Sequence, residues 1–361
     1  MKVLTVVGAR PQFIKAASVS RAIASSFDIR EVLVHTGQHH DHNLSKVFFE
    51  EMQIPAPHYH LGIGSLGHGA MTGRMMEALE EVMLAERPDW VLVYGDINST
   101  LAGALTARKL HIKICHIEAG LRSFNMSMPE EINRVLTDRI SDLLLCPTDS
   151  ALRNLKEEGY DNFACRRELV GDVMYDASIF YAKSAQNRSK IMTDLELEKD
   201  SFVLATLHRQ ENTDSSVRLN EIVAAINQLS KETKIVIPLH PRTKKRLEES
   251  NLKLNCTVTS PLGYFDMLQL LQNCSHVLTD SGGLQKEAYF FRKLCLTMRD
   301  ETEWVELVEA GVNKLVGWKR TNIVNQWIAC HDSKNTFDSE FYGDGRASEK
   351  IVEILRSWDH E

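Results

Sequence analysis

Short runs of β-branched and aliphatic residues, each closing on Gly, Asp or a neighbouring polar residue, alternate with amphipathic stretches along the whole chain, and the alternation runs through twice. This rhythm constrains the fold more than any other feature. Parallel strands can pair only if a crossover, usually a helix, returns the chain to the starting edge. In the first half the runs lie at 3–8, 31–37, 90–96, 113–120 and 143–148, with amphipathic stretches at 11–27, 71–86, 101–109, 130–141 and 149–158. The rhythm restarts at 202–207, 235–240, 256–260, 276–280, 294–298 and 314–317. Residues 166–176 read as a last strand and a helix joining the halves. A chain of 361 residues exceeds what one hydrophobic core usually serves. Two α/β domains with doubly wound parallel sheets are therefore expected, at 1–168 and 169–345. A closing amphipathic helix within 346–361 is expected to pack back on the first.

Composition narrows the function classes. The formal net charge of −7 lacks the basic field that nucleic acid or an anionic membrane surface requires. Any anionic ligand must meet local positive charge instead. The seven cysteines form no C-x-x-C pair and several sit in apolar runs, as reduced, buried thiols do. The apolar run at 3–7 is too short for a signal-peptide core, and no run reaches the ~20 residues that span a bilayer. The expected location is the cytoplasm. His35, His39, His40 and His42 with Asp41 mimic a metal cluster, but their spacing matches no tetrahedral site, so no metal is expected.

In such sheets ligands meet the loops that follow the strands, and the unusual polar sequences fall there. Val7-Gly-Ala-Arg-Pro-Gln-Phe-Ile-Lys15 is a strand, a glycine turn and a helix start, where Arg10 and Lys15 sit near the anion-attracting end of the helix. It lacks G-x-G-x-x-G, which disfavours a dinucleotide. Asp96, closing the run at 90–96, reads either as an acid or base or as a helix N-cap. Glu118 ends a strand with a buried pattern, where a carboxylate needs a partner or a proton. Glu130 and Glu131 follow Pro129 in a helix first turn, which the helix dipole alone would explain; Asn133 and Arg134 one turn later are less easily dismissed.

The second half carries cations at strand ends, His208 with Arg209 and His240 with Arg242, suited to neutralising a diphosphate. Its strongest phosphate signal is Leu278-Thr-Asp-Ser-Gly-Gly-Leu-Gln-Lys-Glu-Ala288. Ser281, Gly282 and Gly283 precede a helix there, and glycine lets backbone N–H groups approach oxyanions; Ser281 as a plain helix cap is the alternative. Glu287 lies one turn on, where it could meet ribose hydroxyls. Arg299 follows the next strand and faces the same loops.

Taken together, Gly8-Ala-Arg-Pro, Gly95-Asp96, Glu118-Ala-Gly-Leu-Arg122, Pro129-Glu-Glu-Ile-Asn-Arg134, His208-Arg209 and Asp280-Ser-Gly-Gly283 resemble the bacterial non-hydrolysing UDP-N-acetylglucosamine 2-epimerases, in the same order along essentially the whole chain. The resemblance implies two Rossmann-like domains arranged as in B-type glycosyltransferases, with the active site in the interdomain cleft. It implies elimination of UDP to a 2-acetamidoglucal and re-addition with the opposite configuration at carbon 2, with no cofactor and no metal, in a homodimer that serves surface polysaccharide synthesis.

On the same resemblance Asp96, Glu118 and Glu130 are candidates for proton transfer, and His208 for stabilising developing charge. Arg10, Lys15, Arg134, His240, Ser281, Gly282, Gly283, Glu287 and Arg299 are candidates for holding the UDP-linked 2-acetamido sugar. The segment 122–129 is more similar to relatives acting on 2,3-diacetamido uronic acid sugars, which makes UDP-2,3-diacetamido-2,3-dideoxyglucuronic acid the alternative substrate. Gln38-His39-His40-Asp41 departs from the family's Gln-His-Arg stretch linked to activation by a second substrate molecule. Rival readings are a UDP-sugar glycosyltransferase, a hydrolysing epimerase and a non-catalytic UDP-binding protein.

Overall fold

The structure is a computed structural model and describes residues 1–38, 49, 53–331, 337 and 340–358. The chain forms two compact units, Met1–Ala177 with Glu340–Glu361, and Ser178–Ser339. The first contains β1 (Lys2–Val7), α1 (Arg10–Ala24), β2 (Arg30–His35), β3 (Tyr59–His60), α2 (His68–Glu86), β4 (Trp90–Tyr94), α3 (Asn98–Lys109), β5 (Lys113–Ile117), α4 (Pro129–Ile140), β6 (Leu143–Cys146), α5 (Asp149–Glu157) and β7 (Arg166–Leu169). Helix α6 (Val173–Arg188) carries the chain onward. The second unit follows with α7 (Ile191–Asp194), β8 (Phe202–Thr206), α8 (Gln210–Thr213), α9 (Ser216–Leu229), β9 (Lys234–Pro238), α10 (Pro241–Glu249), β10 (Thr257–Thr259), α11 (Tyr264–Asn273), β11 (His276–Thr279), α12 (Gly282–Phe290), β12 (Leu294–Thr297), α13 (Val305–Glu309), β13 (Asn313–Leu315) and α14 (Arg320–His331). Helix α15 (Ala347–Ser357) belongs to the first unit.

Among the described residues, seven strands form the first sheet in the order β3-β2-β1-β4-β5-β6-β7, and six form the second in the order β10-β9-β8-β11-β12-β13. All described pairings are parallel. The reason is visible in the strands: β4, Trp-Val-Leu-Val-Tyr, is buried at all five positions, as a central strand covered on both faces must be. In each sheet the winding reverses once, at β1/β4 and at β8/β11. Such switch points open a crevice at the carboxyl ends of the strands. Each unit has its own core clusters, Leu4, Val6, Val91 and Val93 lying in one of the first unit and Val203, Ala205, Ile235 and Ile237 in one of the second.

The strands end one to three residues before the ends read from sequence, and for β4 and β5 the cause is backbone conformation. Gly95, Glu118 and Gly120 adopt φ of +60°, +73° and +78°, which ends the extended chain although the residues still look strand-like. Edge strand β3, two residues long, carries no readable pattern and was not expected. The chain passes between the units at Ala177, inside α6, rather than at 168/169. The start of α6 stays with the first unit because Asp176 accepts hydrogen bonds from the Ala347 and Ser348 amides at 3.1 and 2.7 Å. Arg356 donates to Asp28 at 2.8 Å, and Trp358 meets Trp90 edge-on with 5.0 Å between ring centroids, which fastens α15 to the same unit.

All seven cysteines are free. No helix among the described residues is long and apolar enough to cross a membrane. His39, His40, Asp41 and His42 lie outside the described residues.

Candidate active site

The first unit gathers its candidate residues around the β1/β4 switch point. Gln12, buried on α1, accepts from the Gly8 amide at 2.7 Å and donates to the Tyr94 carbonyl at 2.6 Å, tying the ends of the two strands together. Gly8 has no alternative. A Cβ there would lie 2.6 Å from Thr36 Oγ1 and 2.9 Å from Ser99 Cβ, and closer still to Ser99 Oγ. Arg10 is the first residue of α1, so the helix starts one residue before Pro11.

Lys15, one turn further, forms an ion pair with Glu118 Oε2. This is the partner that the buried carboxylate required. Glu118 itself sits in the left-handed region at φ +73°, a conformation that a non-glycine residue holds only when its surroundings fix it. Its amide donates to the Leu145 carbonyl at 3.1 Å.

Asp96 does not cap α3. The N-cap there is Ile97, with no side-chain cap bond, and the Asp96 carboxylate accepts from Arg134 Nη2 at 2.6 Å. Arg134 also pairs with Glu131, and Asn133 donates to the Asp96 carbonyl at 2.9 Å. Helix α4 thus clamps the Asp96 turn from below. Glu131 is buried and accepts from the Ser123 and Phe124 amides, both at 3.0 Å. Burial raises its carboxyl pKa, but those amides and Arg134 outweigh burial and hold it below the usual 4.5. Glu130, its neighbour, is exposed on the first turn of α4. The two acids of one dipole-favoured turn therefore differ: Glu131 is a brace, while Glu130 faces solvent.

Beneath Asp96 and Glu118 runs a buried chain of charges. His116 Nδ1 lies 2.6 Å from Asp138 Oδ1 and its Nε2 2.8 Å from the Gly95 carbonyl. Asp138 Oδ2 accepts from the Gly120 amide at 3.1 Å and from Arg122 Nη1 at 2.6 Å. Arg122 then forks onto Glu158 at 2.6 and 2.8 Å. Burial raises the Asp138 carboxyl, yet His116 and Arg122 more than offset it and leave the pKa below the usual 3.8.

The second unit repeats the plan at the β8/β11 switch point. Asp280, fully buried after β11, accepts from the His208 and Arg209 amides at 3.1 and 3.0 Å and from Asn212 at 3.2 Å. The His208 ring is half exposed, its Nδ1 3.5 Å from Asp280. Ser281 caps α12 through the Leu284 amide at 3.4 Å, so the cap reading holds for its hydroxyl. Gly283 opens onto space, whereas a Cβ on Gly282 would collide with Glu303 Oε1. Glu303 accepts from Arg299 Nη1 at 2.8 Å, and the buried Arg299 Nε has no hydrogen-bond partner among the described residues. Burial raises the Glu303 carboxyl, but Arg299 first and Arg209 last outweigh it, so the acid stays below its usual range. Glu287 is partly exposed on α12.

His240 is the N-cap of α10 and its Nδ1 accepts from the Arg242 amide at 3.2 Å, while Arg242 pairs with Asp214 at 2.6 Å. Its strand, β9, lies one place out from the switch point. His116, Asp138, Arg122, Gln12 and Glu303 were not singled out from sequence. Each works through a partner distant along the chain, and only the polarity of Gln12 on an apolar helix face and of His116 in an apolar strand hinted at them.

Known proteins resemble this chain along nearly its whole length. The profile of the family described as UDP-N-acetylglucosamine 2-epimerase matches residues 21–356. A Pseudomonas aeruginosa protein named UDP-2,3-diacetamido-2,3-dideoxy-D-glucuronate 2-epimerase is 54% identical over 356 residues, covering 98% of this chain and 99% of its own. The crystal structure of Methanocaldococcus jannaschii UDP-GlcNAc 2-epimerase in complex with UDP-GlcNAc and UDP aligns with a TM-score of 0.86 at 41% identity, over 99% of both chains. That of UDP-GlcNAc 2-epimerase from Neisseria meningitidis bound to UDP-GlcNAc aligns with a TM-score of 0.88 at 31% identity, over 99% of this chain and 100% of the other. With a match this complete in sequence and in fold, the chain belongs to the UDP-N-acetylglucosamine 2-epimerase family.

Proposed function

We propose that the protein interconverts UDP-N-acetylglucosamine and UDP-N-acetylmannosamine by eliminating UDP and adding it back to the glucal with the opposite configuration at carbon 2. One observation carries the reading: Asp96 and Glu118, at the ends of neighbouring strands, are each held by a separate cation, Arg134 and Lys15. Two carboxylates with different partners suit a reaction that removes a proton from carbon 2 and later returns one. In the forward step the C2–H bond breaks as its proton passes to a carboxylate. The C1–O bond breaks with it, the C1=C2 bond forms, and UDP leaves with the electron pair. Addition reverses these events with the proton delivered to the other face.

Asp96, Glu118 and Glu130 are the proton-transfer candidates in this scheme. Arg10, Arg299 and His208 stabilise diphosphate charge, the Ser281-Gly282-Gly283 backbone contributes N–H groups, and Glu287 takes the ribose hydroxyls. The ion pair of Lys15 with Glu118 gives that lysine a further task, holding the Glu118 carboxyl group in place. The free cysteines fit work in the reducing cytoplasm.

The 54% identity to the Pseudomonas aeruginosa protein favours a second reading, the same reaction on UDP-2,3-diacetamido-2,3-dideoxyglucuronic acid. Proton NMR in deuterium oxide separates the two. Deuterium entering carbon 2 of UDP-N-acetylglucosamine as the manno epimer appears supports the first. Exchange only in the uronic acid analogue supports the second, release of free sugar marks a hydrolysing enzyme, and no exchange in either removes the epimerase reading. Asp96→Asn and Glu118→Gln are expected to bind UDP normally and to lose about 10²- to 10⁴-fold in turnover.

A further inference from the structure

Three backbone positions in the left-handed region, Gly95, Glu118 and Gly120, lie within one buried neighbourhood, and His116 and Asp138 touch two of them directly. The Gly95 carbonyl can only accept, so His116 Nε2 donates to it. Asp138 Oδ2 accepts from the Gly120 amide and from Arg122, while its Oδ1 is bonded to His116 Nδ1. The imidazole therefore bridges the Gly95 carbonyl and the Asp138 carboxyl group through its two ring nitrogens. Both side chains are fully buried, so no water competes for these bonds.

The consequence is a continuous strap. It starts at the carbonyl before Asp96, passes through the His116 ring and the Asp138 carboxylate, and ends at the amide two residues after Glu118. Arg122 and Glu158 extend it to the surface, and Asn154 holds the Gly120 carbonyl at 3.0 Å. Glu118 has no glycine's freedom, yet it keeps φ +73° between these fixed points.

We propose that His116 and Asp138 are positioning residues that set the separation and aim of the Asp96 and Glu118 carboxylates without touching the substrate. The proposal rests on the epimerase reading. Proton abstraction is steeply sensitive to placement, since an error near 1 Å can lower a rate about 10²-fold. The strap therefore acts on turnover and leaves UDP binding largely alone, because most of the UDP candidates, His208, Ser281, Gly282, Gly283, Glu287 and Arg299, belong to the other unit.

The test compares wild type, His116→Gln, Asp138→Asn and the double variant, each well below its own melting temperature. Turnover in the single variants is expected to fall about 10²-fold with an unchanged UDP dissociation constant by calorimetry. The double variant is expected to be no slower than the worse single one, since the two residues act as one unit. Folded single variants with wild-type turnover would overturn the proposal, as would a loss explained wholly by lowered melting temperature. If the single variants do not fold, Arg122→Lys, which keeps the charge but loses the fork, should still slow turnover with UDP affinity intact; normal turnover there would overturn it. Nitrogen-15 NMR of the wild-type histidines provides an independent check: a His116 Nε2 that carries no hydrogen would refute the bond to the Gly95 carbonyl. Failure of wild type to exchange carbon 2 of either UDP-sugar would instead remove the epimerase reading, and the histidine spectrum would remain a test of the strap's geometry.

Discussion

Adding one methyl group at Gly8 asks how tightly the β1/β4 junction is built. The new Cβ would stand 2.6 Å from Thr36 Oγ1 and 2.9 Å from Ser99 Cβ, where ordinary contact begins at 3.4 Å. Rotating the Ser99 hydroxyl away does not solve this, because Ser99 Cβ remains in the path. It would also break the bonds of Ser99 Oγ to Thr36 Oγ1 and Gln38 Oε1, both 2.8 Å long. Overpacking a close-packed site costs about 1–3 kcal/mol, and each buried hydrogen bond lost adds about 1 kcal/mol. Gly8→Ala is therefore expected to destabilise the protein by roughly 2–5 kcal/mol.

The assay is a double-mutant cycle with Ser99→Gly, measured by urea denaturation. Ser99→Gly alone loses the hydrogen bonds and some helix stability. In the Gly8→Ala background it also removes the obstacle, so the double variant should be more stable than the sum of the single changes requires, by about 1–3 kcal/mol. Additive effects, or a Gly8→Ala protein as stable as wild type, would refute the packing argument.

Two further outcomes follow from the same geometry. Gly282→Ala drives a methyl group against Glu303 Oε1 and so displaces the partner of Arg299; UDP affinity by calorimetry is expected to fall about tenfold or more, while the melting temperature changes little. Glu131 and Asp138 both have pKa values below their usual 4.5 and 3.8, so the unfolded chain binds protons first as pH falls. Their stabilising contribution is complete above about pH 5 and is lost as pH drops through the depressed folded-state values; thermal melts from pH 7 to 3 should show this, and Glu131→Gln should flatten the decline.

The sequence determined what depends on neighbours along the chain. Apolar runs and amphipathic spacing defined two parallel α/β sheets, and glycine or acid at the strand ends marked where chemistry belongs, because a strand that leaves its sheet needs residues tolerant of new backbone angles and of solvent. Asp96, Glu118 and Ser281-Gly282-Gly283 are singled out on that basis. What the tertiary structure decided is which charges meet. Lys15 and Glu118 are 103 residues apart, and Arg134 reaches Asp96 across 38. No local rule pairs them, since an ion pair depends on distance in space and on the water excluded around it. The same physics separated Glu130 from Glu131: adjacent and identical in the sequence, one helix step turns the first toward solvent and the second into the Ser123 and Phe124 amides. It also buried His116 and Asp138, whose roles appear only once β5 and α4 have packed together.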